Sequence, residues 1–321
     1  MFLLKKEAEK ILKYCLVLKR KESLLIITDK NKKKIAKAIF EEGKKLCKKA
    51  ELVKIPIGKV HGEEPPKDVA NLMRYFDVIV APTTMSITHT TAVRNARKKG
   101  KRARIATMPG VTEAILKRCM SADYKRIERV SKKIGLKLKK ATKIRIITPK
   151  GTDIVIFIDK KARPMIDTGT LHKKGKLSNL PAGEVCLVPK YGKTEGVFVA
   201  DASIGGIGKL KEPVKIFVKR GYAIKIKGGK EAEKLKKILK KYGKNSYNIA
   251  EFGIGTNYKA KITGNVLEDE KAMGTCHIAL GNSKGLGGKI YAKCHLDCVI
   301  KKPTIYADGK IIIKEGALRI K

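Results

Sequence analysis

Hydrophobic positions in the first 140 residues follow two rhythms in turn. Short continuous apolar runs stand at 23–29, 52–57, 77–81 and 104–107, and apolar residues recur at helical spacing over 5–20, 31–49, 66–76, 88–99 and 123–140. Continuous apolar runs read as strands buried on both faces; separated by helices, they form a parallel sheet covered on both sides. Residues 1–140 are therefore expected to be a doubly wound, Rossmann-like α/β domain. Such a sheet takes ligands beyond the carboxyl ends of its strands, which here carry Asp29, Pro82-Thr83-Thr84 and Met108-Pro109-Gly110. No glycine-rich phosphate fingerprint follows the first strand, so no nucleotide site is expected.

From residue 142 the rhythm shortens. Strand-like runs at 143–148, 153–159, 184–188, 196–200, 214–218, 222–227, 276–280 and 290–300 are separated by tight glycine turns, and only 230–242 and 266–273 read as helical. This predicts a mainly β, metal-binding domain over 141–321. Gly205-Gly206-Ile207-Gly208 reads as a turn between strands, and Ser86, Thr88, His89 and Thr90 as caps for the helix near 88.

The chemistry concentrates in the β part. In Lys293-Cys294-His295-Leu296-Asp297-Cys298-Val299-Ile300, side chains at i and i+2 share a face of a strand. His295 and Asp297 thus stand side by side on a stiff backbone, a pairing suited to a metal. Three more isolated groups lie in apolar or glycine-rich surroundings: Glu184 at a strand start, Glu251 in a glycine segment that lets backbone approach a ligand closely, and His277 inside a strand. Glu268-Asp269-Glu270-Lys271, by contrast, reads as a solvated helix turn, with Glu270 a weaker candidate acid or base.

Composition narrows the class. A chain of 321 residues with 43% hydrophobic and 32% charged residues is globular and long enough for two cores. It has no apolar run long enough to span a membrane and no signal-peptide pattern, so a cytoplasmic protein is expected. The net charge of +44 is spread along the chain and carried mostly by lysine, and aromatics are only 5%. That fits a hyperthermophilic bias better than a specific nucleic-acid surface. Seven cysteines without C-x-x-C pairs exclude a zinc ribbon and a disulfide framework, and read as reduced, structural thiols.

Four stretches taken together resemble the thermophilic metallo-aminopeptidases of the aminopeptidase T and aminopeptidase S type: N-L-P-A-G-E-V, A-E-F-G-I-G-T-N, E-D-E-K-A-M-G-T-C-H-I-A-L-G and H-L-D. The first domain is similar more loosely, through T-T-M-S-I-T-H-T and R-I-A-T-M-P-G. The resemblance implies metal ligands at Glu184, Glu251, His277, His295 and Asp297, two divalent ions (zinc or cobalt), and a homodimer. It also implies removal of N-terminal residues from peptides, with Glu184 or Glu251 passing the proton of a metal-activated water. The family's tyrosine ligand has no counterpart in place: Lys284 stands near its position, and Tyr291 could reach in from the next strand.

Two other readings compete with this hydrolase. His277, His295 and Asp297 form a two-histidine, one-carboxylate set, the ligand set of mononuclear non-haem iron oxygenases. The ring-cleaving dihydroxypyridine dioxygenases look like relatives of the same peptidase scaffold, and they would take iron and a small-molecule substrate. A basic, nonenzymatic binding protein is the third reading, carried by charge alone. Of the three, the aminopeptidase is the expectation favoured here.

Overall fold

The computed structural model describes residues 4–320. The chain divides into two compact units, each made of two segments: one up to Asp123 together with Gly169–Ala182, the other Tyr124–Thr168 together with Gly183 onward. The sequence rhythm places a single boundary at 140. In the structure, helix Tyr124–Lys140 turns Ile134 and Leu138 into the core of the second unit, while 169–182 returns to the first and gives it the short strand Leu177–Asn179. That strand has a single apolar residue, which is why periodicity does not reveal it.

In the first unit five parallel strands lie in the order Lys49–Lys54, Ser23–Thr28, Val78–Thr83, Arg104–Pro109 and Leu177–Asn179. The two strands at 23–28 and 78–83 are buried at every position, as continuous apolar runs require. Helices Lys33–Leu46, Lys67–Leu72, Thr91–Lys98 and Glu113–Met120 connect or flank them. Of the hydroxyls near residue 88, Thr90 is the cap: its side chain accepts the Val93 N–H at 3.2 Å. Within this unit Arg104 is buried against Glu22, its Nη1 and Nη2 donating to the two carboxylate oxygens at 2.9 and 2.7 Å.

The second unit holds two antiparallel sheets. An eight-stranded sheet runs from Tyr222–Lys227 through Val214–Lys219, Glu195–Ala200, Asp153–Phe157, Lys143–Ile147, Thr304–Ala307 and Lys310–Lys314 to Ala317–Leu318. A seven-stranded sheet has the order Gly208–Lys209, Ser203–Ile204, His295–Lys301, Thr275–Gly281, Ile249–Gly255, Glu184–Leu187, Met165–Asp167. Gly205-Gly206-Ile207 joins the first two of these, an antiparallel pair, as the expected turn. One hydrophobic core joins both sheets, with Ile144, Ile154, Phe198 and Ile216 from one and Val185, Phe252, Ile278 and Cys298 from the other. All seven cysteines are free thiols, six of them buried. Among the described residues no helix is long and apolar enough to cross a membrane.

Candidate metal centre

Successive side chains on a strand point to opposite faces, and the seven-stranded sheet uses the two faces for different ends. Val185, Leu187, Phe252, Ile254, Cys276, Ile278, Leu280, Leu296, Cys298 and Ile300 all enter the hydrophobic core. The alternate positions on the same four strands carry Glu184, Glu251, His277, His295 and Asp297. All five candidate ligands are thus brought onto one face, across four neighbouring strands. Pairing fixes their heights: Glu251 stands opposite Ala279, which stands opposite Asp297, while Gly253 stands opposite His277.

A bulge sets the aim of Glu251. Ile249 and Glu251 are two apart and would share a face in a regular strand, yet Ile249 lies in the core. The register slips by one residue between them, from Ile249 opposite Leu280 to Glu251 opposite Ala279. The extra residue turns the carboxylate to the other face.

Two glycines make room. A Cβ at Gly253 would lie 2.1 Å from His277 Nε2 and 2.3 Å from its Cε1. The imidazole therefore rests on bare backbone. At Gly255 a Cβ would fall 2.2 Å from the Ala272 carbonyl oxygen and 2.7 Å from the Lys271 carbonyl carbon. The segment expected to let backbone approach a ligand is a fully buried strand, and its glycines admit neighbouring protein.

The five ligand candidates form two overlapping donor groups, Glu184–Glu251–His277 and Glu251–His295–Asp297, each with ligand atoms within 4.8 Å of one another. His295 Nε2 lies 3.0 Å from Glu251 Oε2 and 3.3 Å from Asp297 Oδ1. Its Nδ1 is 2.9 Å from the Asn282 carbonyl oxygen, which can only accept, so Nδ1 carries a proton and Nε2 faces the carboxylates. A backbone partner of this kind is what orients a metal-binding histidine. His277 Nε2 is 3.7 Å from Glu184 and 3.8 Å from Glu251, and neither ring nitrogen has a hydrogen-bond partner although the residue is fully buried. Buried imidazole nitrogens left unpaired are costly. The donor set and these orphaned nitrogens fit a divalent ion.

Electrostatics agree. Burial works against charge on both imidazoles, but Glu251, Asp297 and Glu184 outweigh it and raise His277 to about 9. Asp297 and Glu251 likewise hold His295 well above the usual range against its desolvation. Burial pushes Glu251 up, yet the two imidazoles hold it well below the ordinary carboxylate range. Carboxylates this rich in proton partners hold a place for positive charge.

The turn expected to be solvated is buried. Glu268 and Asp269 are inaccessible. The first accepts the Lys261 N–H, and the second the N–H groups of Thr263 and Gly264. Lys271 is fully buried too, its Nζ 2.9 Å from Glu184 Oε1 and in contact with Glu270. Burial, with Glu184 and Asp297 adding, pushes Glu270 up to about 8 against the pull of Lys271. A four-residue run of charges carries no signal, in one sequence, that it will be buried. Lys284, near the family's tyrosine position, lies on an exposed turn. Tyr291 is 60% exposed.

Residues 4–320 match the family model described as NicX, 2,5-dihydroxypyridine 5,6-dioxygenase. A curated relative, the 2,5-dihydroxypyridine 5,6-dioxygenase of Pseudomonas putida KT2440, is 24% identical over 248 residues, 73% of this chain and 69% of the relative. The solved structure of a 2,5-dihydroxypyridine dioxygenase from that organism superposes with a TM-score of 0.85 at 20% identity, covering 98% of this chain and 96% of the other. AmpT from Thermus thermophilus superposes at 0.74 and 16% identity over both full chains. At these identities the two structures show a shared α/β scaffold, which the sequence resemblance indicated. The peptidase, protease and hydrolase assignment is corrected by the family match and the curated relative, which are dioxygenases, and zinc or cobalt loses its support with it. Matched along nearly its whole length, the chain is an enzyme of the NicX family.

Proposed function

We propose that this enzyme is a mononuclear non-haem iron dioxygenase that opens a dihydroxylated nitrogen-containing aromatic ring of the 2,5-dihydroxypyridine class. The observation that carries the reading is the carbonyl-anchored His295 facing Glu251 and Asp297, on a chain of this family. Glu251, His295 and Asp297 would hold the iron. His277, the other imidazole of the two-histidine, one-carboxylate set, stands in the adjoining donor group, which shares Glu251 with this one. Iron(II), when bound, supplies the one-electron chemistry with dioxygen that side chains lack.

The chain's own residues do the rest. The Asn282 carbonyl fixes the His295 tautomer. His277, seated on Gly253 with both nitrogens unpaired and its charged form favoured by the surrounding carboxylates, is placed to donate to a ring oxygen. Glu270, raised to about 8, holds a proton near neutral pH and can release it to a developing carboxylate product. Lys271 Nζ stands 2.9 Å from Glu184 Oε1 beside them.

The test is direct. Protein loaded with iron(II) without oxygen, then given 2,5-dihydroxypyridine in air, should consume dioxygen and ring in equal amounts, read by an oxygen electrode and by loss of the ring's absorbance. No oxygen uptake with this ring or with other dihydroxylated aromatic rings overturns the reading.

A further inference from the structure

One hairpin of the eight-stranded sheet is basic and aromatic on its solvent face. In strands Val214–Lys219 and Tyr222–Lys227, Ile216, Val218 and Ile226 enter the core. Successive side chains alternate between faces, so Lys215, Phe217 and Lys219 turn outward. Register sets them opposite Lys227, Lys225 and Tyr222. Residues 213–230 hold six basic residues and no acidic one. Lys215 and Lys227 flank the Phe217 ring, their Nζ atoms 5.6 and 6.0 Å from its centroid. Beside them Tyr191, 51% exposed, meets Tyr222 edge to face at 6.4 Å.

A hyperthermophilic lysine excess does not account for this arrangement. Elsewhere exposed lysines take carboxylate partners, as Lys44 does with Glu41, Lys132 with Glu128 and Lys236 with Glu233. Charges organised into ion pairs are the ones that help at high temperature. Among the described residues Lys215, Lys219, Lys225 and Lys227 have no such partner. The next strand sets Val199 opposite Lys215 and Val197 opposite Phe217, and its Glu195 accepts the Arg220 backbone N–H. Like charges directly opposite one another, as Lys215 and Lys227 are, weaken a sheet. An external polyanion relieves that repulsion.

We propose that this face binds single-stranded RNA without sequence preference. Phosphates meet Lys215, Lys219, Lys225 and Lys227, and bases stack on Phe217 and the Tyr191–Tyr222 pair. Lysines alone would hold any polyanion. Exposed rings among them favour a strand whose bases are free to stack, since every base has a π face. A duplex keeps its bases paired and inside, and RNA is the abundant single strand of any cell. None of these residues lies on the strands of the metal ligands, so the ring-opening reading and this one stand or fall separately.

The test is fluorescence anisotropy of a labelled oligouridylate over a series of salt concentrations. Wild type should bind it more tightly than duplex RNA of equal length. Phe217→Leu keeps the charge and the apolar bulk but removes the aromatic face. It should weaken binding roughly 5- to 150-fold, the worth of one stacked base. Lys215→Gln with Lys227→Gln should lower the salt slope by between about one and two. Lys137→Gln with Lys140→Gln, at exposed positions of helix Tyr124–Lys140, removes the same charge elsewhere and should leave affinity and slope unchanged. Equal losses from the two lysine pairs, wild-type binding by folded Phe217→Leu, or a duplex bound as tightly as the single strand would each overturn the proposal. A dimer seen by light scattering that Phe217→Leu dissociates would give the face to a second copy of the chain instead. Should Phe217→Leu fail to fold, the two lysine pairs still decide.

Discussion

The strands Val78–Thr83 in the first unit and Thr275–Gly281 in the second are both buried at every position, yet they are built on opposite plans. The first, V-I-V-A-P-T, is apolar on both faces and stabilises its sheet from both sides. The second, T-C-H-I-A-L-G, gives Cys276, Ile278 and Leu280 to the core and turns His277, Ala279 and Gly281 to a face that is buried but polar. Its neighbour I-A-E-F-G-I-G does the same, with one carboxylate and two glycines. Burial alone therefore does not mark a core strand. What distinguishes a site is burial combined with small residues that leave room for a few polar ones.

The largest effect expected from this contrast is at Asp297. Replacing it with Ala should lower metal affinity by more than about 100-fold, since even outer partners of ligands cost about 10–100-fold, and oxygen uptake should vanish. The apolar face of the strand is untouched, so circular dichroism should show an intact fold. A folded variant with its full metal content would end the assignment. The opposite pattern is expected for Ile79→Ala in the centre of the parallel sheet, where Ile79 is fully buried among apolar neighbours. It should cost roughly 2–5 kcal/mol by denaturant titration, with metal bound per folded molecule unchanged. Coupled losses in both variants would mean that the two strands do not divide core from site as described.

The same contrast explains what the sequence could disclose. Apolar runs at 23–29, 77–81 and 104–107 point in one direction only, and strands stand at each. The five ligand candidates were legible because polar groups inside apolar strands are rare and because four motifs recur together. Their grouping was not legible. It depends on the slip between Ile249 and Glu251 and on Gly253 lying opposite His277, which a segment with two glycines in seven residues does not disclose. Lys271 was hidden for another reason: a lysine among Glu268, Asp269 and Glu270 looks like solvated surface, and only the close approach at Gly255 shows it to be interior. The scaffold was legible and the chemistry was not, because hydrolases and oxygenases can share one set of carboxylates and imidazoles.

Gly253→Ala tests the idea that the glycine exists for the imidazole. The added methyl carbon would collide with the His277 ring, and forcing an extra carbon into a packed interior costs about 1–3 kcal/mol. Thermal stability should fall by that measure, and metal content should fall with it if His277 helps shape the site. A stability loss with metal binding and turnover intact would reduce Gly253 to a packing role.

The smallest effect separates the two units by pH. Asp77, in the first, accepts the Ser23 N–H and hydroxyl. Burial raises its carboxyl, but these bonds and nearby lysines lower it below 3.8 overall. Its contribution is therefore present above that value and disappears as pH falls through the lowered one. His277 runs the other way. Against burial, its carboxylate neighbours raise it from 6.5 to about 9. In metal-free protein this stabilisation is complete below 6.5 and is lost as pH rises through about 9. A metal needs the imidazole neutral. If an ion engages His277, its affinity should then climb about tenfold per pH unit up to roughly 9 and level off above. Melting curves of metal-free protein should decline from pH 6.5 to 9, and the metal-loaded form should not. A metal-free protein equally stable at both ends, with metal affinity flat across the range, would show that His277 is not held charged by this cluster. The contrast in the sign of the pH response would then be lost.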